Sequence, residues 1–461
     1  MNDRGEVNTK IIVFVILIIA ICILAARGIS ISTPKAALAM ALGVAACIAT
    51  FINPKAGLYI LTFSMLLSPE FTIAEVPKRA VVVRMEDILL IVIFLTWLVR
   101  LAVNKELGIL KFTPLNKLLL YYIAFSVLVT GIAIIQGSVT PLKSFFFLLK
   151  YIEYFFLYFM VSNSVHSKEE AKKLIKYMFA TMVLICIFNY FRIATGKLAT
   201  TPFEDEPGEP ATLGGYLLLM MPIIMGLFAY EQKLSSRLWL IILFIFAIPP
   251  FLFAGSRASF LGFIPMYITM LILTTKKKPL FAIVLASIVI LFASGVLHMP
   301  KEASEKVVGT FQGEETHIGP IKMKIDPSSA ARVDSWKLLL GKWSKSPIWG
   351  YGITGIGFFL DGQYFLVLGE MGLIGLTVFL LILYNILKNS YRTFRNSDDD
   401  YIKGVSLGFL CATIGLMAHA LTTNTFIIVR IMEPFWFLAA IIMFLHESSI
   451  PGAEKIIPEK A

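Results

Sequence analysis

The chain has 461 residues, of which 57% are hydrophobic and only 15% charged, and its mean hydropathy is +0.80. Soluble domains carry about 25% charged residues, so this composition excludes a soluble enzyme and marks an integral membrane protein. The formal net charge of +11 is not a nucleic-acid signal, because the basic residues sit in short loops between apolar runs.

A membrane-crossing helix needs about 20 apolar residues. About 14 such segments are predicted, with about 12 as the lower count. They begin near Ile11, Ala36, Ala56, Glu86, Lys117, Lys143, Leu174, Ala211, Leu238, Ser259, Leu280, Tyr364, Lys403 and Phe426. They use most of the chain and leave no room for a separate soluble catalytic domain. The expected architecture is one all-α polytopic helix bundle over residues 1–461, with one large outer loop at 298–360 and a polar tail at 447–461. The runs are too long, and alternate too little, for a β-barrel. The first run lacks a small-residue cleavage site and precedes many more spans, so it reads as a retained helix. Cys22, Cys47, Cys186 and Cys411 all fall in apolar runs without paired spacing, which indicates neither a disulfide framework nor a zinc site.

Orientation follows from the basic residues. With the N-terminus inside, the inner segments hold Lys10, Lys55, Lys105, Lys111, Lys168, Lys172, Lys173, Lys176, Lys276, Lys277, Lys278, Lys388, Arg392 and Arg395. The short outer loops hold far fewer, as the positive-inside rule requires. The loop from His298 to Leu360 is then outside, and both termini are cytoplasmic. The eight basic residues of that loop do not count against this, because loops of roughly 60 residues translocate largely regardless of charge.

Several connectors carry local signals. Ser167-Lys168-Glu169-Glu170 has the form of a capping box, opening either a short basic helix on the inner surface or, the stronger reading, a solvated connector. The outer loop from Arg192 to Pro210 carries Glu204, Asp205, Glu206 and Glu209. It reads either as a simple exposed acidic loop or as a sugar-facing one, since carboxylates accept hydroxyl hydrogen bonds. In the large loop, Asp326-Pro327 reads as an N-cap followed by proline at the first helical position. Val333, Trp336, Leu340 and Trp343 then recur at helical spacing, which predicts a short amphipathic helix ending before Pro347. Gly350-Tyr351-Gly352-Ile353-Thr354-Gly355 matches the G-x-G-x-x-G string. A dinucleotide site is rejected, because that fingerprint needs a strand before it and a helix after it in a βαβ unit. The run is either a hinge or a backbone that a bulky substrate approaches closely.

The residues able to carry chemistry gather on the outer side. Arg257 lies between two spans joined by almost no loop, at the membrane boundary. It is a snorkelling arginine or an anion clamp, and the guanidinium fork suits a phosphate. Arg332 sits near the N-terminal end of the loop helix, where free N–H groups also favour an anion. Asp361 is a general base at the interface or a cap for the following span. Within the spans, Lys150 and Glu153 are spaced to pair on one helix face, and Glu370 is an intramembrane charge and hence a functional candidate. No His, Cys or Asp cluster has metal-ligand spacing, so no metal and no other cofactor is expected.

These residues resemble the O-antigen ligase and O-antigen polymerase family of bacterial envelope polysaccharide enzymes. The resemblance covers most of the chain. It concentrates in Leu148–Phe155, in Gly208–Leu217, in Ala254-Gly255-Ser256-Arg257, and in the stretch from Arg332 through Trp336, Pro347, Gly350 and Gly352 to Asp361 and Gly375. It implies an outward-facing cavity in the cytoplasmic (inner) membrane, capped by the large loop. There a glycan would pass from a polyprenyl-pyrophosphate donor to an acceptor hydroxyl on a glycan or lipid. Arg257 and Arg332 match the family's pyrophosphate-binding arginines. Ligase members carry His-Asn, nine residues, then Gly-x-x-Gly. Aligned on Gly372 and Gly375, this chain places Asp361 at the histidine and Gly362 at the asparagine. The departure points away from ligation to a lipid A core and leaves polymerase and ligase both open.

The expected site is therefore Asp361, Arg257 and Arg332 for chemistry, with Gly350, Gly352, Tyr364 and Glu209 beside the substrate. Membrane lipids are expected partners and nucleic acid is not. The competing expectation is a lipid-linked oligosaccharide flippase. A transporter should show internal repeats in matching halves, which this sequence does not display, and it needs no base beside its cations.

Overall fold

A computed structural model describes residues 44–46, 48–50, 52–76, 79–103, 113–203, 208–278, 280–281, 314–318, 321–358 and 360–448. The spans expected near Ile11, Ala36 and Leu280 start or run in residues outside this set, as do Glu204, Asp205 and Glu206.

The described chain is a helical bundle. Its helices are α1 (Pro54–Leu67), α2 (Met85–Val103), α3 (Asn116–Ile135), α4 (Pro141–Ser164), α5 (Lys168–Ala194), α6 (Pro210–Tyr230), α7 (Leu234–Phe253), α8 (Arg257–Leu273), α9 (Pro327–Trp343), α10 (Gln363–Asn396), α11 (Asp400–His419) and α12 (Val429–Ser448). Among the described residues eight helices, α3 to α7 and α10 to α12, are long and apolar enough to cross a membrane, and α1 and α8 are shorter apolar helices. The chain is a multi-pass membrane protein. Its surface agrees: Leu120, Phe145, Trp239, Ile245, Ile264 and Tyr384 all point outward, an arrangement that is stable only against an apolar surrounding.

The helix ends are set by local chemistry. Asn53, Ser167, Ser256, Asp326 and Asp399 each accept a backbone N–H in the first turn that follows, satisfying donors that have no intrahelical partner. Proline opens α1, α4, α6 and α9, where its missing N–H costs nothing. Ser167 caps a single 27-residue helix, so the separate short surface helix or loose connector expected after Ser167 is instead the first turns of α5.

At the centre, α6 and α12 are almost wholly enclosed, while α7 is peripheral. α6, α8 and α11 meet through small residues. A Cβ on Gly226 would lie 2.2 Å from the Gly404 carbonyl oxygen, and one on Gly262 would lie 2.5 Å from that of Gly415. Close backbone approach of this kind is how helices gain packing where no hydrophobic force separates protein from lipid.

Two antiparallel hairpins, which the apolar pattern does not reveal, interrupt the helices. β1 (Glu70–Val76) pairs with β2 (Arg79–Arg84) between α1 and α2, with Glu70 opposite Arg84 and a register shift between Thr72 and Ala74. β3 (Glu314–Ile318) pairs with β4 (Ile321–Ile325) just before α9, with Glu314 opposite Ile325.

Successive helices reverse direction, so the bundle has two chemically distinct ends. One end carries the N-termini of α5 and α11 and is laced by exposed or half-exposed ion pairs: Lys55 with Glu170 at 2.6 Å, Lys276 with Asp400 at 2.7 Å, and Lys168 with Asp399. The other end carries the α7–α8 turn, α9, and the N-termini of α10 and α12.

Candidate functional site at the α9 end of the bundle

α9 forms as its sequence predicts. Asp326 accepts from the backbone N–H groups of Ser328 and Ser329, and Pro327 stands at the first helical position. The buried residues of α9 are Val333 and Leu339. Leu340, expected on the same face, is 44% exposed. The apolar stripe therefore runs one residue earlier at that turn, because Leu339 rather than Leu340 reaches Ile356 and Leu360 beneath the helix.

The capping carboxylate has a second task. Arg257 Nη1 donates to Asp326 Oδ2 at 2.6 Å, and its other nitrogen reaches Oδ1 at 3.5 Å, a fork-to-fork pair. Arg257 Nη1 also lies 3.5 Å from Ser329 Oγ. Burial raises the Asp326 carboxyl, but the hydrogen bonds from Arg257 and Ser329 outweigh it and hold the group down at about 2. Arg257 can reach this position because Ala254, Gly255 and Ser256 alone join α7 to α8, with Gly255 at φ 61°. The near-absent loop expected there is present.

One turn along α9, Arg332 Nε donates to Asp361 Oδ2 at 3.0 Å. Residues three apart share a helix face, so Ser329, which contacts Arg257, and Arg332 are neighbours. The two arginines and Asp361 are thus gathered around the first turns of one helix. Both pairs are partly open to solvent, with side-chain exposures of 29% and 18% for Arg257 and Asp326, and 28% and 21% for Arg332 and Asp361. An anion arriving from outside can therefore compete for the guanidinium groups.

Asp361 does not cap the following helix. That position belongs to Gly362, at φ 100°, with no side-chain cap. Asp361 is instead fixed through its own backbone: its carbonyl accepts from Trp336 Nε1 at 2.6 Å, and the Trp336 ring stacks on Phe365 at 4.8 Å. Asn424 donates to the Leu360 carbonyl at 2.7 Å, and the Gln363 side chain accepts from the Phe426 N–H at 2.9 Å. The segment before α12 thus holds the chain on either side of Asp361-Gly362.

The glycine run is neither a hinge nor a free backbone. Gly350 (φ 72°) and Gly352 (φ 79°) pack against protein: a Cβ on the first would strike the backbone of Glu370, and one on the second would strike Ala133 of α3. The Tyr351 and Gly352 N–H groups donate to the Gly369 and Glu370 carbonyls at 3.0 and 2.8 Å. The buried Glu370 carboxylate accepts from the Thr354 N–H at 2.8 Å and from Tyr151 at 3.3 Å. α10 breaks at Gly372 (φ 62°), and the Leu373 and Ile374 N–H groups turn to the Pro347 and Ile348 carbonyls. Irregular backbone at this depth is tolerated because protein supplies its partners. Lys342 completes the clamp, donating to the Gly355 and Ile356 carbonyls at 3.0 and 2.9 Å, and burial lowers its pKa.

The remaining expected residues lie apart from these pairs. Tyr364 turns into the bundle and donates to the Met417 carbonyl at 2.7 Å. Glu209 is exposed at the N-cap position of α6, at the same end of the bundle. The Lys150–Glu153 pair forms at 3.1 Å, but it belongs to a larger buried group that sequence reasoning missed, with Asp87 also on Lys150 at 2.8 Å and with Glu86, Arg430 and Glu433 nearby. Charges just inside the apolar runs of α2 and α12 were the available signal. Beneath Gln363 lies a largely apolar cavity lined by Tyr122, Tyr151, Tyr154, Phe155, Phe426 and Trp436.

Compared with known families the chain matches none, and no curated protein matches it.

Proposed function

We propose that the chain is a membrane glycosyltransferase that transfers or polymerises a polyprenyl-pyrophosphate-linked oligosaccharide on the outer face of the cytoplasmic membrane. The observation that carries this reading is the gathering of Arg257, from the start of α8, and Arg332 of α9 at the first turns of α9, with Asp361 on Arg332. The sequence resemblance to O-antigen ligases and polymerases supports it. In this reading the large loop is outer, both termini are cytoplasmic, and the chain has about 12–14 spans.

The chemistry follows from the geometry. A pyrophosphate leaving group gains negative charge as the glycosidic bond breaks, and preorganised guanidinium groups stabilise that charge. Asp326 and Asp361 occupy the two arginines. The donor's phosphates displace them, and Asp361, freed from Arg332, accepts the proton of the incoming hydroxyl. Attack opposite the pyrophosphate inverts the anomeric centre. Trp336 holds the Asp361 backbone, so the base keeps its position after its ion pair opens.

The test uses the full chain in nanodiscs with a radiolabelled polyprenyl-pyrophosphate oligosaccharide and an acceptor glycan. Release of polyprenyl pyrophosphate with a longer or transferred glycan supports the reading, and a product ladder separates polymerase from ligase. A second reading, a lipid-linked oligosaccharide flippase, is favoured by the buried charged group of α2, α4 and α12, since intramembrane ionisable residues mark transport pathways. Glycan that crosses the bilayer still attached to its carrier would support the flippase instead.

A further inference from the structure

The buried group at the α2–α4–α12 junction lies outside the site described above. On α12, Glu433 is fully buried, and neither oxygen of its carboxylate has a hydrogen-bond partner among the described residues. One oxygen from each of Glu433, Glu86 and Asp87 lies within 4.8 Å of the others. Oxygen ligands of a hard cation stand about 2.3–2.6 Å from it, so three oxygens at this spacing fit around one ion.

Several packed segments bring polar and charged groups to these three carboxylates. β2 supplies Arg84, 3.8 Å from Glu86. The α1–β1 connector supplies Ser68, whose hydroxyl donates to Glu86. α4 supplies Lys150, on Asp87 at 2.8 Å and on Glu153 at 3.1 Å. α12 adds Arg430, which faces Glu86 but directs Nη1 to the Leu66 carbonyl at 2.7 Å and Nη2 toward that of Ser68 at 3.5 Å. Four carboxylates, Glu86, Asp87, Glu153 and Glu433, thus face three cations, Arg84, Lys150 and Arg430. Among the described side chains the group is one positive charge short. A buried carboxylate with no partner is too costly to leave ionised and bare.

We infer that Glu86, Asp87 and Glu433 take up one monovalent metal cation, sodium, at the α2–α12 junction. The single missing charge sets the valence: a divalent ion would reverse the imbalance beside three fixed cations. Glu433 is the ligand on which the site depends, because it alone of the three has both oxygens without a partner.

The experiment uses the full chain in nanodiscs, with sodium exchanged for choline at constant ionic strength, at mildly acidic and mildly alkaline pH. Melting temperature and radioactive sodium binding are read for wild type and Glu433→Gln. A sodium-dependent rise in Tm of at least about 2 °C, with one sodium bound per chain and both lost in Glu433→Gln, assigns the cation as sodium. If sodium has no effect, but acidification raises the wild-type Tm and Glu433→Gln holds that higher value at both pH values, the carboxylates are neutralised by a proton and the inference is overturned. Absence of the sodium response in wild type, its persistence in Glu433→Gln, or a response to divalent ions alone likewise overturns the inference. Should Glu433→Gln fail to fold, Glu86→Gln takes its place, and the wild-type titration remains decisive.

Discussion

Two charged networks lie at the same end of the bundle and are built in opposite ways. Around α9 each arginine has a matching carboxylate, Arg257 with Asp326 and Arg332 with Asp361, and all four side chains reach solvent. Among the described side chains of the α2–α4–α12 junction the carboxylates outnumber the cations, and Glu433 is sealed away without a hydrogen-bond partner. A neutral, accessible pair can exchange one anion for another. An enclosed group with excess negative charge is suited to taking up a cation. The contrast assigns anion handling to the first network and cation holding to the second, within one membrane protein.

The sharpest way to separate them is to remove a cation from each. Arg430 is almost fully buried and anchors the Leu66 carbonyl beside Glu86. Arg430→Met should lower stability by about 3–5 kcal/mol, seen as a large fall in Tm, because it deepens the charge imbalance in a buried place. A change below about 1 kcal/mol would mean that the cluster is not electrostatically coupled. Arg332→Ala should do the reverse. Transfer should fall about 100- to 1,000-fold, equal to about 2.7–4 kcal/mol of transition-state stabilisation, with Tm nearly unchanged. A variant that unfolds instead would show that the α9 pair is structural.

Glu370 belongs to neither network; it is buried but hydrogen-bonded to the glycine loop and to Tyr151. Glu370→Ala should cost about 1–3 kcal/mol and speed hydrogen exchange across residues 350–357, since the Thr354 N–H loses its acceptor. The exposed Lys276–Asp400 pair at the opposite end gives the baseline: Lys276→Ala should change stability by less than about 1 kcal/mol. The smallest effect at assay pH concerns Asp326, whose folded pKa is depressed to about 2. Its contribution to docking α9 is complete above the ordinary carboxylate range, about 3.9. It is lost as pH falls from there through about 2. Tryptophan fluorescence from Trp336 should therefore stay constant from neutral pH down to about 4 and change only below it. A transition near neutral pH would contradict the Arg257–Asp326 pairing.

Much of this architecture was legible in the sequence because apolar runs and caps act locally. The starts of α2, α3, α6 and α8 fall within two residues of the positions read from hydropathy. Asp326-Pro327 opened α9 as its capping chemistry requires. What stayed hidden depends on partners distant in the chain. Asp326 was readable as a cap but not as the carboxylate that holds Arg257. The glycine run at 350–357 read as a flexible or substrate-facing loop, because nothing local discloses that Thr130, Ala133 and Glu370 receive it. The β1–β2 hairpin was masked by an apolar stretch, Ala80 to Val83, that runs straight into α2. Glu86, Asp87 and Glu433 stood at the edges of predicted spans, where a charge reads as an ordinary boundary.

The most direct test of the α9 assignment separates binding from transfer at the two members of one ion pair. Donor binding and single-turnover transfer would be measured for wild type, Arg332→Ala and Asp361→Asn in nanodiscs. The account predicts that Asp361→Asn binds the polyprenyl-pyrophosphate donor at least as tightly as wild type, because Arg332 no longer has a carboxylate to displace, yet fails to transfer the glycan. It predicts that Arg332→Ala loses both. Normal transfer by Asp361→Asn would contradict the base assignment, and unaltered donor binding by Arg332→Ala would contradict the anion site itself.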